Sequence, residues 1–298
     1  MNVDILRDVL LDAMRALFLI ALTLGSFPFP VQVASAQTVD PMELVESERA
    51  FARDVAELGI PDGFLAHLAE GSIVFGAGPV DGRASYEARP KTESKLAWDP
   101  VYAEISEVGD LGWTTGPWTF RPGEGEPVAA AGHYVSLWRM GEDGVRRVEL
   151  DVGIVHDPVP KPTADPDTRV LTEGVNPTGD RVADLEEADR ELSADAAEDV
   201  AVAYAAHATP DLRVYRTGSL PAIGQPALDL AAARGAFVWE PAGAAASANG
   251  DVGYTYGRAR SPGADPAADP NGYLRIWRRD GEGTWRLALD LADVPPAP

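Results

Sequence analysis

The chain contains no cysteine, and only 4 histidines occur in its 298 residues. Without cysteine there is no disulfide framework, no thiolate metal site and no thiol nucleophile. The histidines lack HxH or HxxxH spacing, so no metal site is expected. Basic residues are also scarce: 25 Lys+Arg stand against 47 Asp+Glu, a net charge of −22. A field of that sign repels phosphate backbones and anionic lipid surfaces, which excludes nucleic acid and a membrane surface as expected partners. No G-x-G-x-x-G follows a strand pattern, and there is neither a P-loop nor a G-x-S-x-G, so no cofactor is expected. The apolar run at residues 16–27, ALFLIALTLGSF, has 12 residues, short of the roughly 20 that span a bilayer.

That run precedes Ala34-Ser35-Ala36, an A-x-A pattern suited to signal peptidase. Residues 1–36 are therefore expected to be a signal peptide, with Met14 the better start because Met14-Arg15 leads directly into the apolar run. The alternative is an uncleaved N-terminal anchor. Export implies a periplasmic or secreted protein with no membrane contact after cleavage. The full chain is ordinary for a globular protein, 45% hydrophobic and 24% charged.

The chain repeats itself. Trp98 to Gly116 and Trp239 to Gly257 align without gaps and share 9 of 19 positions. Tyr134 to Asp151 and Tyr273 to Asp290 share 7 of 18. His67 and Phe75 keep the same spacing as His207 and Tyr215. Self-similarity at this separation means one structural unit written twice. The two units are expected at 41–157 and 180–293. Between them, 158–179 reads as a proline-rich extended linker. The units carry −11 and −8, so the acidity belongs to the general surface of both.

Each unit opens helical and closes as sheet. In the first, Met42, Val45, Phe51, Ala52, Val55 and Leu58 follow helical spacing up to Gly59-Ile60-Pro61. A short second helix, a strand at SIVFG and a small polar helix at 83–89 come next. Four strand-like runs complete the unit, at about 97–108, 111–120, 132–141 and 145–156. In the last, Val148, Leu150, Val152 and Ile154 alternate with Arg147, Glu149 and Asp151. One sheet face should therefore be apolar and lie under the helices.

This element order, with Gly250 to Gly257, Gly272 to Arg279 and Trp285 to Asp290, resembles the nuclear transport factor 2-like superfamily. The likeness is to its SnoaL-like and ketosteroid-isomerase-like bacterial members. Unit one carries the same pattern at Gly109 to Gly116, Tyr134 to Arg139 and Arg147 to Asp151. The resemblance implies an α+β fold of two tandem cone-shaped domains, each with N-terminal helices packed on a curved antiparallel sheet around an apolar cavity. The steroid isomerases of this superfamily use a carboxylate base and donors to the enolate oxygen. No position here matches those groups by motif.

Candidate catalytic residues are His67, His207, His133, Asp151 and Asp290. His67 and His207 sit at equivalent helix ends, where a general base and a helix-capping cation are both sensible roles. Asp151 and Asp290 suit either a pocket carboxylate or a salt-bridged surface. Trp98, Trp113, Trp118, Tyr134, Trp138, Trp239, Tyr256 and Trp277 are expected to wall a ligand cavity or to fill the core. The leading reading is binding of a small apolar or aromatic molecule. The alternatives are an isomerase, dehydratase or cyclase working by acid–base chemistry, and an interaction protein with vestigial pockets. The two units are expected to pair as an intramolecular pseudo-dimer, with further homo-oligomerisation left open.

Overall fold

Two sheets, each carrying its own helices, make up the body of the chain. The computed structural model describes residues 38–76, 78–172, 179–264 and 271–295. The expected signal segment 1–36 and the 173–178 part of the expected linker lie outside the described residues. The described residues from 39 onward form one compact unit.

Helix α1 (Pro41–Leu58) starts where Asp40 accepts a hydrogen bond from the Met42 amide at 2.9 Å, with Pro41 in the first turn. Its buried stripe is Leu44, Val45, Glu48, Phe51 and Val55, while Leu58 is exposed. An acid thus sits in the middle of an otherwise apolar face. Gly59 breaks the helix with φ 88°, and α2 (Ile60–His67) folds back against it. The crossing is close: a Cβ on Gly63 would lie 2.5 Å from Val55 Cα. Strand β1 (Leu68–Gly76), β2 (Gly78–Asp81) and α3 (Gly82–Glu87) follow.

The rest of the half is sheet: β3 (Lys95–Trp98), β4 (Tyr102–Ile105), β5 (Leu111–Arg121), β6 (Ala130–Met140) and β7 (Arg146–Val155). The run expected over 97–108 is broken at Asp99–Val101. The second half repeats the plan with α4 (Arg181–Glu198), α5 (Val200–His207), β9 (Ala208–Arg216), β10 (Ala222–Ile223), α6 (Gln225–Arg234), β11 (Val238–Ala246), β12 (Val252–Arg260), β13 (Asn271–Arg279) and β14 (Trp285–Ala292). The strand orders correspond, β2-β1-β7-β6-β5-β4 and β10-β9-β14-β13-β12-β11. In both, the pairing of the first long strand with the last is parallel and the other pairings in that order are antiparallel. The fold is α+β, with helices against one face of each sheet. Part of the expected linker is itself a strand, β8 (Asp167–Val170), which runs parallel to β4 and covers that open edge.

The alternation in the last strand reads differently in three dimensions. A register shift at Glu149 sets Trp138 opposite Val148 but Leu137 opposite Leu150. Val148 consequently packs under the helices. Leu150, Val152 and Ile154 face the other way, into a core shared with Tyr215, Leu274, Ile276, Leu289 and Leu291 of the second sheet. The expectation that this apolar face lies under the helices holds for Val148 and is overturned for Leu150, Val152 and Ile154. The second sheet covers those three, and Asp151 is the residue turned toward the helices. The same shift recurs at Ala288, between Trp277↔Leu287 and Ile276↔Leu289.

Contacts between the halves are reciprocal. Asp110 accepts from the Ala248 amide and Asp251, its counterpart, from the Glu107 amide, both at 2.7 Å. Phe75 lies against Gly272, where a Cβ would come within 2.0 Å of its ring. Tyr215, the counterpart of Phe75, makes an edge contact with His133, the counterpart of Gly272. Equivalent residues of the two halves are thus exchanged across this contact. Arg278 adds a buried ion pair to Glu104 at 2.6 Å.

Candidate functional site

Asp151 projects from β7 beneath the helices of the first half, into a cavity of about 350 Å³. The cavity lies between α1, α2, α3 and the sheet. Its wall is aromatic, made of Phe51, Phe64, Phe75, Tyr86, Trp98, Trp118 and Tyr134, with Leu96, Val152, Gly153 and Arg89 completing it. Trp118 fits because two neighbouring strand positions beneath it, Gly132 and Gly153, carry no side chain. A Cβ on Gly132 would lie 2.9 Å from its ring and one on Gly153 3.1 Å from its Nε1.

Two groups in this cavity are chemically poised. Burial, then the neighbouring Glu48 carboxylate, pushes Asp151 up to about 7, against a hydrogen bond from Ser136 and the charge of Arg89. Ser136 Oγ donates to Asp151 Oδ2 at 2.9 Å, which leaves the carboxylate's other oxygen free for a ligand. Tyr134, two residues before Ser136 on the same strand face, has a buried hydroxyl whose one side-chain neighbour for hydrogen bonding among the described residues is Thr114, without the geometry of a full bond. Burial raises its pKa well above the ordinary value, so it remains a proton donor. A buried hydroxyl left unpaired costs free energy, about 1–3 kcal/mol, unless a ligand satisfies it.

Behind the wall, Glu48 is held by Trp98 Nε1 at 2.5 Å, Thr114 Oγ1 at 2.6 Å and Trp138 Nε1 at 2.8 Å. Burial pushes this carboxyl up as well. Glu48, Arg89 and the phenylalanine and Tyr86 walls are site residues that the sequence reading did not pick out. Glu48 had left a legible signal, an acid in phase with the buried stripe of α1.

The equivalent position in the second half is filled. Asp290 is fully buried and pairs with Arg216 Nη2 at 2.5 Å and Arg275 Nε at 3.4 Å, with Tyr204 donating to it as well. Burial alone would raise this carboxyl, but the two guanidinium groups hold it below the ordinary range. Strand register identifies what changed: Arg275 stands where the first half has Ser136, and Arg216 where it has Gly76. A Cβ on Gly76 would meet nothing within 4 Å. Arg275 also pairs with Asp189, the counterpart of Glu48, at 2.7 Å, and Tyr273, the counterpart of Tyr134, donates to Asp189 at 3.0 Å.

The remaining candidates fall elsewhere. His67 bonds Asp54 at 2.7 Å and His207 bonds Asp195 at 2.8 Å, the same helix-to-helix clasp in both halves, and neither histidine lines the cavity. His133 Nδ1 meets His156 Nε2 at 2.7 Å beside the inter-sheet core. Trp98, Trp118 and Tyr134 wall the cavity, with Trp138 buried behind it. Trp113 lies in the inter-sheet core, donating to Glu104 at 3.1 Å. Tyr256 packs at the edge of that core, Trp277 lies under the second-half helices, and Trp239 stacks under Arg275 at 4.0 Å. Among the described residues no cluster of three or more His, Asp or Glu could hold a metal ion, and no helix is long and apolar enough to cross a membrane.

No family model and no curated protein matches the chain. Among solved structures it is similar to a protein of unknown function with a cystatin-like fold from Nostoc punctiforme, at 19% identity over 40% of this chain and 92% of that one, TM-score 0.32. It is also similar to a ketosteroid isomerase-like protein from Erwinia carotovora atroseptica, at 14% identity over 40% and 98%, TM-score 0.33. A third is a Mycobacterium tuberculosis protein in complex with estradiol-17β-hemisuccinate, at 12% identity over 36% and 89%, TM-score 0.28.

Proposed function

We propose that the first half binds a small, largely apolar or aromatic carbonyl compound and moves a proton on it, with Asp151 as the base and Tyr134 as the hydroxyl that steadies the developing oxyanion. The observation that carries this is the Asp151 carboxylate, held near neutral pKa in an aromatic cavity that the buried Tyr134 phenol also lines. A base poised near 7 combines a substantial ionised fraction with useful proton affinity. About 350 Å³ suits a one- or two-ring molecule.

In the bound state the carbonyl oxygen takes the Tyr134 hydrogen bond, and the carbon next to it faces Asp151. Asp151 accepts that carbon's proton, and negative charge moves to the oxygen, where Tyr134 donates. Returning the proton to the same or a neighbouring carbon completes an exchange or an isomerisation. Ser136 fixes the carboxylate rotamer throughout. The aromatic wall excludes water that would otherwise compete for both groups.

The test is hydrogen–deuterium exchange at the α-carbon of acetophenone and α-tetralone in D2O, followed by NMR. The wild-type protein is expected to accelerate exchange. Asp151→Asn should remove the acceleration, and Tyr134→Phe should reduce it by about 100- to 1000-fold. Ketones that bind without exchanging would leave a binding protein instead. The proposal also places the protein outside the cytoplasm, supported by the apolar run and Ala34-Ser35-Ala36. N-terminal sequencing of protein from its own cell should then begin at Gln37.

A further inference from the structure

We infer that the ligand of the first-half cavity carries an anionic group, a carboxylate or its equivalent, which docks on Arg89 at the cavity mouth; this rests on the cavity being a ligand site, as proposed above. The chain is strongly acidic, with 47 Asp+Glu against 25 Lys+Arg, so a cation without a carboxylate partner stands out wherever it adjoins a cavity. Arg89 is exposed and lines the cavity that Asp151 enters. Among the described residues its side chain forms no hydrogen bond and no ion pair, while its main-chain amide donates to the Tyr86 carbonyl at 3.2 Å. Its guanidinium carbon lies 4.2 Å from the centroid of the Tyr86 ring. Tyr86 in turn stacks on Phe64, with centroids 4.1 Å apart and planes 12° from parallel.

The cation is therefore the top of a three-layer stack that continues into the cavity wall. A stacked guanidinium keeps its in-plane N–H donors free while its face is occupied. This restricts the side chain without consuming its hydrogen bonds, which is the preorganisation that favours a planar carboxylate. Arg83 provides the contrast within the same segment. Its Nη1 donates to the Leu65 and Leu68 carbonyls at 3.1 Å and its Nε lies 3.4 Å from Glu70, so it is committed to holding the helix in place.

The charge is also placed to act at a distance from the reacting group. Arg89 is close enough for its field to reach Asp151, yet no direct ion pair forms between them. An apolar body seated against Trp98 and Trp118, with its carbonyl at Tyr134, would leave its far end at the mouth. There Arg89 selects a molecule with an acid at one end over its neutral counterpart. The second half offers no such arrangement, because its own arginines already satisfy Asp290 from within.

Isothermal titration of the full-length protein with naphthylacetate and its neutral isostere naphthylacetamide tests this. The acid is expected to bind about tenfold more tightly than the amide, with the difference shrinking as salt is raised. Arg89→Gln should weaken the acid about tenfold to the level of the amide, and leave amide binding unchanged. Arg89→Lys should restore part of the preference. Equal affinities in the wild-type protein, or a preference that survives Arg89→Gln, would overturn the inference while leaving the cavity as a ligand site. Binding of neither compound would overturn the cavity reading, and this inference with it.

Discussion

The two halves share a strand order, a register shift, a His–Asp clasp and a buried acid in the first helix, yet one encloses a cavity and the other an ion-pair network. Asp151 and Asp290 occupy equivalent positions. The first is pushed up by burial, and among the described residues no cation forms an ion pair with it. The second is held down by two arginines. Two positions account for the difference, Ser136 against Arg275 and Gly76 against Arg216. A buried carboxylate must be neutralised by protonation or by a cation, and the two copies take opposite solutions. The protonating solution leaves room for a ligand, whereas the paired solution fills the room.

Exchanging those solutions should produce the largest effects. Ser136→Arg should close the first cavity, pair with Asp151 and abolish ligand binding, measured by titration calorimetry, while the melting temperature changes little. The reverse change, Arg275→Ser, strips a cation from Asp189 and Asp290 together. Removing one partner of a buried pair costs about 3–5 kcal/mol, and denaturant unfolding should show a loss of that order without a new functional cavity appearing. Smaller effects follow from pH. Asp151 binds its proton more tightly folded than unfolded, so its contribution to stability falls as pH rises from about 4 to about 7. Asp151→Asn should remove that slope and stabilise the protein at pH 8 by about 1–3 kcal/mol. His133 behaves oppositely. Burial, with His156 and Arg213 nearby, lowers it to about 4. Its contribution is therefore intact above about 6.5 and is lost as pH falls toward 4. His133→Phe should flatten that acid limb in melting curves recorded across the window.

The helix-then-sheet order of both halves was legible because it is written in local spacing and self-similarity. The roles of the two sheet faces were not. Leu150, Val152 and Ile154 announce a buried face, but only the packing of one copy on the other shows that the second sheet, not the helices, buries it. Glu149 looks like an ordinary alternating residue, although the register shift there decides which way Asp151 points. The site was half legible. Asp151, Tyr134, Trp98 and Trp118 could be chosen from composition and repeat. Nothing local separated Asp151 from Asp290. The separating signal lay across the strand pair, in the change from Ser136 to Arg275, and its meaning depends on β6 lying beside β7. Arg89 was missed because an exposed arginine just past a polar helix has no distinguishing pattern until Tyr86 is seen beneath it.

The comparison stands or falls on the charge states of two carboxylates. Carbon-13 NMR of aspartate labelled at the side-chain carboxyl, with Asp151→Asn and Asp290→Asn used for assignment, reads both directly. Asp151 is expected to titrate at about 7, while Asp290 stays ionised to below its ordinary range. An Asp151 resonance titrating at the ordinary carboxylate pKa, alongside Asp290, would contradict the account.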